Sequence, residues 1–281
     1  MLTYLIRLEM SKMDIMENLK FEVENLIRKN VTLGIEYYKL KYPDEEFQVP
    51  EVIISFDFHK DTINIYKEFN YPSDYINLVN KTANWDTTIA LTISNYNQID
   101  QSKIILNAFK LRDDTILHEL THVSDFSNYI TRHNYSGLNY LEFSNLKNSI
   151  YIHLFSEFRA FYRGALYSNE NLRQRLEYEN STLITKQTEA IQKHNIKEYY
   201  YHSIKYIGFY CACIDKNLPQ ETIEQILQKK DENVMQTLVK FLYPLRNKAF
   251  IELESHINEF QDILNKREYP KVCVNLQTDV R

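Results

Sequence analysis

Apolar residues recur at helical spacing along the N-terminal part of the chain, between Asp14 and about Lys41. Steps of three and four residues place these side chains on one face of an α-helix. The sequence therefore predicts a long amphipathic helix over residues 14–41. The apolar positions of this helix are Ile15, Leu19, Val23, Leu26, Ile27 and Val31.

Short runs of apolar, β-branched and aromatic residues follow this helix, and such runs are typical of β-strands. The predicted strands cover residues 52–58, 62–66, 87–94 and 103–109. We expect a turn between the first two strands, at residues 59–61, and a short helix over residues 72–83. These elements predict a small β-sheet in the first half of the chain.

From Leu111 onward the apolar pattern is helical almost to the end of the sequence. One helix is predicted from Leu111 to about Asn128 and another over residues 144–167. Breaks are expected near residues 217–219, 243–244 and 269–270, where prolines interrupt the pattern. The predicted fold class is α+β, with an N-terminal helix packed on the core (1–50), a core with a small mixed sheet (51–167) and a mostly helical C-terminal region (168–281).

Charge and composition exclude several classes of protein. The net charge is −5 and no long basic run is present, so a nucleic-acid partner is not expected. No stretch of about 18 apolar residues occurs, so no transmembrane helix is expected. Arg7 and Glu9 break the short apolar patch at the N-terminus, which therefore does not read as a signal peptide. With 3 cysteines and no disulfide framework, a cytoplasmic protein is the expectation.

The predicted helix after Leu111 carries the sequence His118-Glu119-Leu120-Thr121-His122. Residues four apart lie one turn apart on the same face of a helix, so both imidazoles can reach one metal ion. Glu119 then lies where it can contact a water molecule on that metal. This is the H-E-x-x-H arrangement of zinc peptidases, and it predicts His118 and His122 as zinc ligands.

A catalytic zinc site needs a third protein ligand. Glu157, on the next predicted helix, shares a face with Ala160 and Gly164. Small residues let two helices approach closely, and a glycine inside a helix costs about 1 kcal/mol relative to alanine. Gly164 therefore indicates close packing, which would bring the short Glu157 side chain to the metal.

Other residues remain as alternatives for the third ligand. Glu142 follows His122 by 20 residues, a separation that some zinc peptidases use. Asp125 lies on the metal-facing side of the motif helix, where it could bind the metal or hold a histidine N–H. His153 is a further alternative.

These residues resemble those of the gluzincin metallopeptidases. The five letters at 118–122 match the motif of the thermolysin family. The two segments at 122–126 and 157–161 are more similar to the catalytic domains of anthrax-lethal-factor-type toxins and of minimal peptidases that cleave phage and mobile-element repressors. The resemblance covers residues 103–165, with the strand at 104–107 before the motif helix. Phe161 stands where thermolysin-like enzymes carry an aspartate, which favours the broader group.

The resemblance implies a zincin-like core and a zinc metalloendopeptidase acting on a protein or peptide substrate. Glu119 would be the general base for a water molecule activated by Zn²⁺. Tyr151 and His153, and also His202, are candidates to steady the oxyanion. The strand at 103–109 would bind an extended substrate along its edge. The alternatives are a toxin-like effector protease and a zincin-shaped binding module without peptidase activity.

Overall fold

The computed structural model describes residues 2–45, 47–193, 195–219 and 232–265. Within these ranges the chain is mostly α-helical and contains one small mixed sheet, so the predicted α+β class is confirmed. No helix in the described ranges is long and apolar enough to span a membrane. The break predicted at residues 269–270 lies outside them.

The sheet of the described chain has three strands, β1 (Glu51–Ser55), β2 (Ala90–Ser94) and β3 (Ser102–Asn107). β3 lies in the middle, parallel to β1 and antiparallel to β2. Three of the four predicted strands are thus confirmed, with shorter bounds. Because both edges of β3 are paired, the expectation that residues 103–109 bind a substrate along an edge is wrong. β1 and β2 are the outer strands, and each has one edge that no other described strand occupies.

The predicted strand at residues 62–66 is also wrong, because this segment belongs to helix α2 (Phe58–Glu68). The Asp57 side chain accepts a hydrogen bond from Lys60 N at 3.3 Å, which satisfies a free donor of the first helical turn. Phe58, Thr62 and Ile65 then recur at helical spacing and are buried. A run of five residues is compatible with the period of a strand and with that of a helix, and here the N-cap at Asp57 favours the helix.

The other helices agree broadly with the predicted ones. The first, α1, runs over Leu2–Lys41, and the motif helix, α4, over Thr115–His133. The helix predicted at 144–167 corresponds to α6 (Ser149–Tyr167), which begins five residues later than predicted. The remaining helices are α3 (Ser73–Thr82), α5 (Tyr140–Ser144), α6 (Ser149–Tyr167), α7 (Leu172–Gln192), α8 (Ile196–Asp215), α9 (Glu232–Leu242), α10 (Phe250–Glu254) and α11 (Ile257–Asn265).

Two faces of β3 bury residues against two different groups of helices. Ile104 and Leu106 point to one side, where they pack in an apolar cluster with buried residues of α1 and α4. Ile105 points to the other side and packs in a cluster with residues of α2. This alternation follows the two-residue period of a strand. It fixes α4, the motif helix, against one face of the sheet.

Helix α6 lies at the centre of the helical part and is buried along most of its length. It packs against α4 on one side and α8 on another. Gly208 permits the close approach of α8, because a Cβ there would lie 2.8 Å from Phe161 Cβ and 3.0 Å from Phe158 O. One apolar cluster joins α6 to the C-terminal helices, so α6 links the sheet side of the molecule to the helical half.

Candidate metal centre

Helix α4 presents both motif histidines on one face, as the sequence predicted. The Nε2 atoms of His118 and His122 lie 3.1 Å apart. The same helix ends at Asn134, whose left-handed backbone, with a φ of 56°, stops it. Thus α4 is long enough to carry the motif in its second and third turns, well inside a regular stretch of helix.

Glu157 of α6 places its carboxylate beside both histidines. Its Oε2 lies 3.7 Å from His118 Nε2, and its Oε1 lies 3.7 Å from His122 Nε2. A zinc ion bound tetrahedrally at about 2.1 Å requires its ligand atoms to be separated by about 3.4 Å. The Nε2–Nε2 separation of 3.1 Å and the two Nε2–oxygen separations of 3.7 Å, which involve different oxygens of Glu157, lie close to that value. The three side chains therefore fit one zinc ion.

The surroundings of Glu157 also fit a cation. The carboxylate is buried, and its Oε2 has no hydrogen-bond partner among the described residues. A buried carboxylate oxygen without a partner is costly, and a bound cation would relieve that cost. Burial, with the nearby charge of Glu119, raises the pKa of Glu157 to about 8. A metal at the three ligand atoms would favour the ionised carboxylate.

Close packing of α6 on α4 brings Glu157 into range. A Cβ on Gly164 would lie only 2.9 Å from the backbone oxygen of Asp114, at the start of α4. Ala160 lies between Glu157 and Gly164 and is fully buried. The small-residue face of α6 is therefore the face that contacts α4, as the sequence predicted.

Both motif histidines are neutral in this environment. Burial, with the positive charges of Lys205 and Arg112, lowers the pKa of His118 to about 3. Burial and the neighbouring His118 lower the pKa of His122 well below its ordinary value. Neutral imidazoles keep a lone pair for a metal, so the electrostatics agree with the ligand role.

The carboxyl group of Glu119 is hydrogen-bonded to strand β2. Thr92 Oγ1 donates a hydrogen bond to Glu119 Oε2 at 2.7 Å. Burial raises the pKa of Glu119 to about 7, although the hydrogen bond from Thr92 opposes that rise. A carboxyl group with such a pKa can both take and return a proton near neutral pH.

Two of the three alternative ligands make other contacts. Glu142 closes a capping box at the start of α5, where its Oε2 accepts from Asn139 N at 2.8 Å. Asp125 is buried and accepts from Arg159 Nη1 at 2.5 Å. His153 does lie beside the site, since its Nε2 is 3.4 Å from Glu157 Oε1.

The three residues predicted to stabilise the oxyanion make different contacts. Tyr151 packs against Phe260 of α11, with ring centroids 6.3 Å apart, and the structure does not bring it to the ligand atoms. His202 pairs loosely with Glu198 at 3.9 Å. His153 is the one candidate from the sequence that directly contacts a predicted ligand.

Sequence reasoning missed Tyr201, which lies on α8 one turn after Lys197. Its ring centroid lies 5.9 Å from that of Phe161, which in turn lies 4.5 Å from His118. Burial, with the charges of Glu157 and others nearby, raises the pKa of the Tyr201 hydroxyl well above its ordinary value. The i, i+4 row of Lys197, Tyr201 and Lys205 could have identified this face of the helix.

The open edge of β2 lies beside Glu119. Asn107 N donates to Ile89 O at 2.8 Å and Asn95 N donates to Gln101 O at 2.7 Å. In an antiparallel ladder, the residues alternating with such pairs turn their peptide groups to the opposite edge. Ala90 and Thr92 therefore direct their backbone N–H and C=O groups toward the unpaired side of the sheet.

Comparisons with known proteins assign no family or function to this chain. No protein-family model matches the chain, and neither the search of curated proteins nor that of solved structures found a match.

Proposed function

We propose that this protein is a zinc-dependent metallopeptidase that hydrolyses peptide bonds of a protein or peptide substrate. The observation that carries the proposal is the convergence of His118, His122 and Glu157, with ligand atoms spaced for one zinc ion. Glu119 adjoins this group with a pKa raised to about 7 by burial. A structural metal site has no need of such a base.

A zinc ion held by these three residues would supply a Lewis acid and a nucleophilic water at neutral pH. Glu119 holds and moves the proton, because its carboxylate is buried beside the ligands and fixed by Thr92. His153, which contacts Glu157, and Tyr201, whose buried hydroxyl is influenced by the charges of Glu157 and Glu119, are the donors that would steady negative charge on the substrate oxygen. Tyr151 has no place in this mechanism.

The substrate would align along β2. The backbone groups of Ala90 and Thr92 face the open edge of β2, and an extended peptide can add to such an edge as a further strand. Because the Thr92 side chain binds Glu119, the same strand would hold both the substrate and the general base. The order of a strand (β3), the H-E-x-x-H helix (α4) and a helix that carries glutamate (α6) supports the proposed zincin-like core and its similarity to the gluzincins.

The test combines zinc analysis with a peptidase assay on a mixture of synthetic peptides. We expect Glu119→Gln to bind zinc like the wild type and to lose cleavage. We expect Glu157→Ala to lose both zinc and cleavage. Glu142→Ala is the matched control, because this glutamate caps α5, and it should keep both.

A zincin-shaped binding module is the competing class, and a toxin-like effector protease would share the chemistry and differ only in target. If wild-type protein binds zinc but cleaves no peptide, and Glu119→Gln changes nothing, the binding module is correct. If the wild type takes up no zinc at all, the metal centre itself is refuted.

A further inference from the structure

The second nitrogen of His122 contacts a buried hydroxyl. His122 Nδ1 and Ser156 Oγ lie 2.8 Å apart, and Ser156 is fully buried on α6, one residue before Glu157. In the tautomer that leaves Nε2 free, Nδ1–H donates to Ser156. This hydrogen bond fixes the ring plane and turns the Nε2 lone pair toward His118 and Glu157.

Ser156 also acts on a buried carboxylate. Its hydroxyl is close enough to the Asp125 carboxyl to lower the pKa of that group, against the larger effect of burial, which raises it, and the buried Asp125 Oδ2 has no other hydrogen-bond partner among the described residues. Asp125 Oδ1 accepts from Arg159 Nη1 at 2.5 Å. Both Asp125 and Arg159 are fully buried, so neither charge is screened by water. Asp125 and Arg159 thus continue the chain of contacts that begins with His122 and Ser156.

Glu45 anchors the far end of this chain of contacts. This residue lies on the segment between α1 and β1, and Arg159 Nη2 donates to its Oε1. Arg163 donates to Glu45 through Nη1 at 2.8 Å and Nη2 at 2.6 Å. Tyr38 and Ser124 donate to its Oε2 at 2.7 and 3.0 Å. One loop carboxylate therefore ties α1, α4 and α6 together.

The charges of this cluster balance only when Glu45 is present. Arg159 and Arg163 bring two buried positive charges, and Asp125 and Glu45 bring two negative ones. Loss of Glu45 would leave an uncompensated guanidinium that competes for Asp125. A shift of Asp125 toward that guanidinium would weaken its hold on Ser156, and so on the ring of His122.

We propose that Ser156, Asp125, Arg159 and Glu45 form a positioning relay that fixes the His122 imidazole, so that the loop after α1 is a working part of the metal centre. The proposal rests on the metal centre proposed above. All four are positioning residues, since none contacts the predicted ligand position or a reacting atom. The occupant of the site is the same zinc ion, and the relay sets how tightly it is held.

Ser156→Ala tests the near end of the relay. We expect zinc affinity, measured by competition with a chromophoric chelator, to fall about 10- to 100-fold, the usual effect of losing a group that orients a metal ligand. Ser156→Thr keeps the hydroxyl and should recover most of the affinity. Cobalt substitution adds a spectroscopic readout, since a misoriented imidazole changes the visible absorption of the ion, which a purely structural role would not.

Glu45→Gln tests the far end. We expect weaker zinc binding in a protein that is still folded by circular dichroism, and Asp44→Asn, the exposed neighbour on the same loop, is the matched control that should bind zinc like the wild type. If Glu45→Gln does not fold, the comparison of Ser156→Ala with Ser156→Thr tests the relay instead. Unchanged affinity and cobalt spectra in Ser156→Ala would overturn the relay.

A metal-free measurement separates this inference from the proposed function. Long-range ¹H–¹⁵N spectra of the zinc-free protein report which ring nitrogen of each histidine carries the proton. The relay requires an Nδ1–H tautomer for His122 in the wild type and a mixture in Ser156→Ala. If the wild type shows the other tautomer, the relay is wrong even where zinc binds; if it shows Nδ1–H and no zinc binds, the metal centre alone is wrong.

Discussion

Substitution of Gly164 by alanine should disturb the metal centre from a distance. The added Cβ would lie 2.9 Å from Asp114 O and 3.3 Å from Asp114 Cβ. The Asp114 oxygen also accepts the hydrogen bond from His118 N, at 3.1 Å. Because the contact is with backbone, relief requires α6 and the first turn of α4 to move apart by several tenths of an ångström. That movement separates Glu157 from His118.

The magnitude follows from two opposing effects. Alanine gains about 1 kcal/mol over glycine inside a helix. Overpacking of a tight contact costs about 1–3 kcal/mol. The net expectation is a loss of about 0–2 kcal/mol in the free energy of unfolding, while zinc affinity falls by about tenfold, because the ligand geometry of a metal site tolerates only about 0.5 Å.

Gly137→Ala is the matched control for this experiment. No described heavy atom lies within 4 Å of a Cβ placed at Gly137, and none of the described glycines has a positive φ. Zinc affinity by chelator competition and thermal unfolding in the presence of chelator are measured for both variants. A Gly164→Ala protein that binds zinc as tightly as the wild type, and gains stability, would refute the close-approach argument.

Three further predictions concern single side chains. Thr92→Val removes the hydrogen bond that lowers the pKa of Glu119, so the acid limb of the activity–pH profile should move to higher pH. Thr92→Ser keeps a hydroxyl and should leave the acid limb in place. An unchanged acid limb in Thr92→Val would contradict the role of Thr92. Tyr201→Phe should lower kcat by about a hundredfold with zinc content unchanged, and equal kcat values would exclude Tyr201 as the oxyanion donor. Burial raises the pKa of Asp215, but hydrogen bonds from Arg246 and two tyrosines lower it below its ordinary value overall. The stability that Asp215 supplies is therefore present above about pH 4 and lost as pH falls through the lowered pKa, so the difference in Tm between the wild type and Asp215→Asn should shrink below about pH 4; a difference that grows there would contradict this assignment.

The parts of the site that follow from local periodicity could be predicted from the sequence. His118 and His122 share a helical face through their spacing alone, and Gly164 marked the close contact that brings Glu157 to them. Helix α2 shows the limit of this reasoning, because five alternating residues fit a strand as well as a helix, and Asp57 decides by capping.

Contacts between distant segments could not be predicted in the same way. Tyr201 comes from a helix more than 30 residues beyond Glu157, and its placement depends on how α8 packs on α6 around Gly208. The pairing of β3 on both edges likewise depends on the whole sheet, so the open edge that we expected at residues 103–109 is not present. In both cases the deciding information is tertiary packing, which no local pattern contains.

The two fully buried arginines of α6 also constrain how the protein folds. Both arginines form ion pairs with Glu45, on the segment that follows α1. Burial of Arg159 and Arg163 is therefore tolerable only when α1 and this segment are in place, because an unpaired buried charge costs roughly 3–5 kcal/mol. That cost is a large share of the roughly 5–15 kcal/mol that stabilises an ordinary domain. A fragment beginning at residue 51 would therefore not keep α6 docked on α4. We expect the amide protons of α1 near Tyr38 and those of α6 to exchange with solvent in one cooperative opening event, so that the N-terminal helix and the metal-binding helices fold and unfold as a single unit.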